Sequence, residues 1–188
     1  MKDRATLEDA KYNLYAAWAE NYLAMYQLSN AIALYRDAFA IRPKVEETKS
    51  VYKTLFLYES LKKRLETAEL DEKIKLAEKC GDICVKLHQQ FHFKRLLIGA
   101  LSRYTEQLEL VKTAIGENNQ TNKQDIAAVY VSIAMTYVDL EEIDCAIENY
   151  RFAVSESNHI KSKQTRFRSQ LTNTFMSEFS VKCFLENL

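Results

Sequence analysis

Four side chains able to ligate a metal or carry redox chemistry, Cys80, Cys84, His88 and His92, recur at every fourth residue of one stretch. On a helix that spacing puts them along one face. Neighbouring rungs could share an ion, but four ligands strung along ~18 Å of helix cannot converge on one tetrahedral zinc. Cys80 and Cys84 also stand where packing side chains are wanted, so the ladder reads as core and no metal is assigned. His159, the third histidine, lies beside a polar stretch with no cysteine near it. No phosphate-cradling Gly loop, nucleophile elbow, HExxH helix, calcium loop or paired CxxC occurs, which leaves nucleophilic and acid–base catalysis without a candidate set. Glu141 and Glu142 read as helix-start charges favoured by the macrodipole. The chain is therefore expected to be no enzyme, with no cofactor and no small-molecule substrate.

The charges exclude further classes. The chain holds 26 basic and 26 acidic residues, which removes any whole-chain electrostatic case for nucleic acid or an anionic membrane. One basic cluster, Lys161, Lys163, Arg166 and Arg168, falls within eight residues but has a single aromatic and no RNA-binding signature; it reads as a solvated edge. The longest apolar run, around Leu96–Leu101, is far short of the roughly 20 residues of a membrane span. The charged start, MKDRATLEDAK, lacks an apolar signal core. Cys80, Cys84 and Cys145 fall at helix positions expected to be buried, which favours free thiols in a reducing compartment over a disulfide framework.

The elements that would position any site are helices. One Pro and three Gly in 188 residues are too few for a sheet or a loop-rich fold, and 47% hydrophobic residues suffice for a core. Thr6 with Asp9 resembles a helix-opening cap, and Leu7, Leu14, Trp18, Tyr22 and Met25 mark a helical apolar stripe. Ser29 and Asn30 then offer caps to a helix that stops before Pro43. From Ala127 to Ala153, the small residues Ala134, Ala146 and Ala153 interleave with Tyr130, Ile133, Tyr137 and Tyr150. This grammar resembles the tetratricopeptide (TPR) repeat, a helix–turn–helix of about 34 residues. Tyr15, Trp18, Ala19, Tyr22, Ala31, Tyr35, Ala38 and Pro43 fall in register with it.

The expected fold is all-α, an α-α superhelix of TPR-like helix–turn–helix repeats. Residues 1–43 form one repeat, and 44–68 one long irregular helix with Val45, Val51, Leu55, Tyr58, Leu61 and Leu65 on its apolar stripe. Residues 71–115 form a repeat with extended helices, in which Ala77, Cys80, Gly81 and Cys84 face Ala100, Tyr104 and Leu108. Gly81 and Ala100 are nineteen residues apart, against twelve for Ala19–Ala31 and Ala134–Ala146. The extra seven are close to two helical turns, which keeps the faces aligned. A loop at Gly116–Lys123, with Thr121 or Asn122 as a cap, leads to a third repeat at 122–157. Residues 160–188 form a terminal helix carrying Phe167, Leu171, Phe175, Phe179 and Cys183 at every fourth position. Its apolar character to Leu188 reads as the cut end of a longer protein, or as an end that pairs with something else.

Modules of the TPR class that grip acidic chaperone C-termini resemble one another in presenting Lys and Asn on the first-helix groove face. The corresponding positions here are Ala16 and Glu20, Glu78 and Asp82, Val131 and Met135, which cannot build such a clamp. With Leu23 and Val138, these residues form the expected partner groove. Its carboxylates favour a basic or helical ligand, and its apolar end a hydrophobic one.

Beyond the repeat class, residues 1–155 resemble the TPR portion of the Tonsoku-like family. The residues that carry the resemblance are Cys80-Gly81-Asp82, then Ala100, Tyr104, Gln107 and Leu108, then Val131-Ser132-Ile133-Ala134. The signature-free helix Val51 to Ala68 and the repeat at Tyr22–Pro43 also stand where that family has them. The seven-residue extension before Ala100 and the long loop at Gly116–Lys123 depart from its pattern. The resemblance implies a nuclear scaffold supporting homologous recombination at stressed replication forks, with a repair-complex subunit and chromatin or replication factors as protein partners. It implies no direct nucleic-acid contact by this segment. The family's histone-binding ankyrin repeats and its leucine-rich repeats lie outside the TPR array, so no residue here is assigned to histones. Outside that resemblance the expected compartment is cytoplasmic, and the alternative reading is another TPR adaptor, such as a G-protein-signalling modulator of the Pins type.

Overall fold

The computed structural model of the chain describes residues 2–116 and 123–158. Among them every regular element is a helix: α1 Lys2–Ala24, α2 Leu28–Ile41, α3 Glu46–Thr67, α4 Leu70–Phe91, α5 Lys94–Gly116, α6 Lys123–Asp139 and α7 Ile143–Asn158. Three hairpins, α1–α2, α4–α5 and α6–α7, pack most extensively. The helix α3 bridges the first two, and α5 carries α6. The fold is an all-α helical-repeat superhelix. Residues 117–122, the terminal stretch from His159 with its expected helix at 160–188, the basic cluster Lys161–Arg168 and Cys183 lie outside the described residues.

The repeat is visible in the turns. At the end of α1, Tyr26 N donates to Leu23 O (2.9 Å) and Gln27 N to Tyr22 O (2.8 Å). At the end of α6, Glu141 N donates to Val138 O (2.9 Å) and Glu142 N to Tyr137 O (2.9 Å). Every partner is shifted by 115 residues. Tyr26 and Glu141 both adopt left-handed backbone (φ 59° and 67°), which lets the last carbonyls of each helix be satisfied as the chain reverses. The same shift relates Ala19 to Ala134, Ala31 to Ala146, Tyr35 to Tyr150 and Ala38 to Ala153, and all eight are buried. Side chains without bulk at these positions let paired helices approach closely, and the tyrosines close the gaps.

Two glycines mark still closer approaches. A Cβ on Gly81 would stand 2.5 Å from Tyr104 Cε1, and one on Gly99 would enter the ring of Tyr26. Tyr26 reaches from the α1–α2 turn across α3 to α5. Its hydroxyl is 3.0 Å from the Tyr58 hydroxyl and 3.8 Å from Cys84 Sγ. These contacts join the first hairpin to the second around α3, whose Val51, Leu55, Tyr58, Leu61 and Leu65 are all buried.

Several local expectations are corrected. Leu7, Leu14, Trp18 and Met25 are exposed, while Ala19 and Leu23 are fully buried. Of the stripe Tyr22 alone packs against the core, because α1 turns its Ala19–Leu23 side onto α2 and α5. Thr6 lies inside α1, four residues past its first; Asp9 pairs with Arg42, whose guanidinium also covers the Tyr12 ring. The N-cap of α2 is Gln27, with no side-chain cap. Ser29 Oγ donates to Glu59 (2.6 Å) and Asn30 Nδ2 to Gln27 (3.0 Å). Cys145 is half-buried, since the residue turned fully onto α6 is its neighbour Ala146.

The Tyr35 hydroxyl is buried and has no hydrogen-bond partner. Burial first, then the charges of Glu20 and Glu47, hold its pKa above the usual tyrosine range. An unmet buried hydroxyl costs about 1–3 kcal/mol. Tyr35→Phe keeps the ring and removes that cost, so it is expected to raise the melting temperature. A thermal melt showing a clear drop would contradict the assignment.

Candidate partner-binding face

The expected groove residues separate into three places. Glu78 and Asp82 sit one turn apart on α4, both exposed. The Tyr104 hydroxyl of α5 donates to Asp82 Oδ1 (2.7 Å), which fixes that carboxylate's orientation. Asp125, at the start of α6, is near enough to act on Glu78. Partial burial and then Asp82 raise the Glu78 carboxyl above its ordinary value against the pull of Lys79, and Asp125 adds a smaller rise. Carboxylates from two hairpins thus act on Glu78, with Lys79 beside it. Asp125 escaped the sequence reading because its neighbours on that face, Ala128 and Ser132, carry no charge.

Val131, Met135 and Val138 lie elsewhere on α6. At about 100° per residue, Ile126, Tyr130, Ile133 and Tyr137 occupy one flank, packed into the core beside α5. Val131, Met135 and Val138 occupy the opposite flank, with the close-contact residues Ala127 and Ala134 between the two. Met135 is exposed and both valines are half-buried. Ala128 and Asp125, both exposed, continue the outward side of the helix beyond Met135.

Leu23 is a second correction. It is fully buried in the core and presents nothing to a ligand. It is the 115-residue counterpart of Val138, and its flank of the first hairpin is covered by α3. The stacking of Phe39 on Tyr52 of α3, with centroids 6.0 Å apart, shows that cover directly. Ala16 is half-buried and Glu20 exposed. Glu20 acts on the Tyr35 hydroxyl together with Glu47, so it belongs with α2 and α3.

An open cleft of about 280 Å³ lies between the N-terminus of α2, the middle of α3 and α5. Tyr26, Ser29, Tyr58, Lys62 and Arg103 line it, together with Glu59. Arg103 pairs with Glu106 at 2.7 Å. The Cys/His ladder separates into two buried thiols and two histidine rings 6.0 Å apart. Cys80 and Cys84 are fully buried, Cys84 lies against Tyr26, and His88 Nδ1 is 3.2 Å from Phe93 O. Among the described residues no three His, Cys, Asp or Glu side chains are placed to hold one ion. No described helix is long and apolar enough to cross a membrane.

Burial pushes the Cys84 thiol from its ordinary 9.0 up to about 12, against the smaller opposing hydrogen bond from Tyr26. It also raises Cys80, Tyr26, Tyr58 and Tyr104. In each case the folded state holds its proton more tightly than the unfolded chain. The stability this gives is complete below the unfolded value and is lost as pH rises through the folded one. For Cys84 the window opens near pH 9 and closes near 12, with a slope of about 1.4 kcal/mol per pH unit for each such group. Urea denaturation at stepped pH is expected to show a steepening loss above pH 9, with Cys80 and Cys84 resisting alkylation until the protein unfolds. A flat alkaline profile, or rapid native labelling of either thiol, would contradict this.

Compared with protein-family models, curated proteins and solved structures, the chain finds no match.

Proposed function

We propose that the chain is an interaction scaffold that holds protein partners, and that it is the TPR portion of a Tonsoku-like protein acting in homologous recombination at replication forks in the nucleus. The observation that carries the scaffold reading is the acidic face of Glu78, Asp82 and Asp125. It is built across two hairpins from rigid helices, with Asp82 oriented by Tyr104. Such a face suits a basic segment of a partner, recognised by paired charges on a preformed surface. The order of regular and irregular helices in the sequence supports the family assignment, and the partners it brings are a repair-complex subunit and chromatin or replication factors.

The full reading frame of the parent transcript tests the family assignment. Ankyrin and leucine-rich repeats downstream of this segment are the expected result. A complete frame lacking both would overturn it, while leaving the scaffold reading to the binding experiment that closes the Discussion.

A further inference from the structure

Along α1 four large apolar side chains stand exposed: Leu7 (57%), Leu14 (47%), Trp18 (52%) and Met25 (43%). One exposed leucine needs no explanation, but four in one line form a patch of the kind that marks a contact. At about 100° per residue the four fall within ~40° of arc, and they run ~27 Å along the helix. Ala19 and Leu23, through which α1 joins the core, lie about 120–160° round from them. The line is thus on the side of α1 turned away from its own core.

The spacing of the line says what fits it. Its intervals are seven, four and seven residues, the same read from either end. A second α1 laid antiparallel along the first therefore meets apolar residues with apolar residues throughout. Leu7 comes level with Met25 of the other copy and Leu14 with Trp18, each pair occurring twice about a two-fold axis. An isologous contact of this kind closes at two copies. Charge agrees with it. Between Leu7 and Met25 the one charged side chain within about 60° of the line is Lys11, and the two-fold sets it level with Asn21 of the other copy. Glu8, Asp9 and Glu20 lie ~100° or more round the helix, so no like charges are brought together.

The four side chains, with Ala10 and Ala17 exposed beside them, offer roughly half of the ~800 Å² that each partner buries in a standard interface, which sets the contact among the weak, reversible ones. We propose that α1 pairs antiparallel with α1 of a second copy of the chain through Leu7, Leu14, Trp18 and Met25, in a two-fold dimer that forms as concentration rises. Glu78 and Asp82 of α4 take no part in it. Trp18 is the chain's one tryptophan, so its fluorescence reports the contact directly.

Sedimentation equilibrium of the full chain from about 1 µM to 1 mM tests the proposal. A passage from monomer to dimer across that range is expected, with Trp18 emission moving to the blue in step. Leu14→Glu would bury a carboxylate against Trp18, and is expected to weaken dimerisation about tenfold or more. Its melting temperature is expected to hold, because Leu14 stands outside the core. Leu7→Cys with Met25→Cys tests the direction of the pairing. The two positions lie ~27 Å apart within one copy, so a short thiol crosslinker can join 7 to 25 only between copies, and peptide mapping is expected to find that bridge. A monomer at every concentration would overturn the proposal. So would a dimer undiminished in folded Leu14→Glu, or bridges that join 7 to 7 and 25 to 25.

Discussion

Gly99→Ala is expected to destabilise the protein by about 1–3 kcal/mol, the usual penalty for an added carbon in a filled core. The new Cβ would stand 2.6 Å from the Tyr26 hydroxyl oxygen and closer still to the ring carbons. A flexible side chain would swing aside at little cost. Tyr26 cannot, because its backbone is left-handed (φ 59°) and its hydroxyl is engaged by Tyr58 at 3.0 Å. For a chain of this size each kcal/mol lowers the melting temperature by about 2–4 °C. Tyr26→Leu in the same molecule makes room for the methyl group, so the double variant is expected to lose less than the two single losses added together. Strict additivity in a thermal double-mutant cycle would show that the two residues do not meet.

Leu55→Ala is expected to cost about 2–5 kcal/mol, the range for removing a fully buried leucine. Leu55 is 0% exposed, at the middle of a helix that stands alone between two hairpins. If α3 were a peripheral strut, its truncation would be absorbed by local movement. Since α3 packs on both α2 and α4 and holds Tyr58 against Tyr26, the cavity opens at the junction of the hairpins. Chemical denaturation is expected to show one cooperative transition moved to lower denaturant. A change below about 1 kcal/mol would contradict the central place of α3.

What could be read from the sequence followed from close packing. Alanines and tyrosines at fixed offsets have one structural use, and Ala19, Ala31, Tyr35 and Ala38 serve it as Ala134, Ala146, Tyr150 and Ala153 do. Apolar character alone was less informative. Leu7, Leu14 and Trp18 carry helical spacing yet face outward, because periodicity identifies an apolar face without saying whether a neighbour covers it. The same ambiguity placed Leu23 in the expected groove. Leu23 carries helical spacing too and is fully buried in the core. The register of a single helix does not say which side its neighbours take. Tyr26 was illegible for another reason. Its role depends on left-handed backbone at a non-glycine residue and on contacts 32 and 58 positions away. Asp125 joins Glu78 and Asp82 only when α6 is laid beside α4.

If protein partners are held by Glu78, Asp82 and Asp125, capture from nuclear extract by the full chain and by a Glu78→Lys, Asp82→Asn variant shows it. The amide oxygen introduced by Asp82→Asn would still accept the Tyr104 hydrogen bond, so helical content and melting temperature are expected to stay unchanged. The account predicts that the proteins held by the unaltered chain fall about tenfold or more in the variant, a change of ~1.4 kcal/mol, and that rising salt weakens their capture by the unaltered chain. Undiminished capture by a folded variant, insensitive to salt, would contradict it.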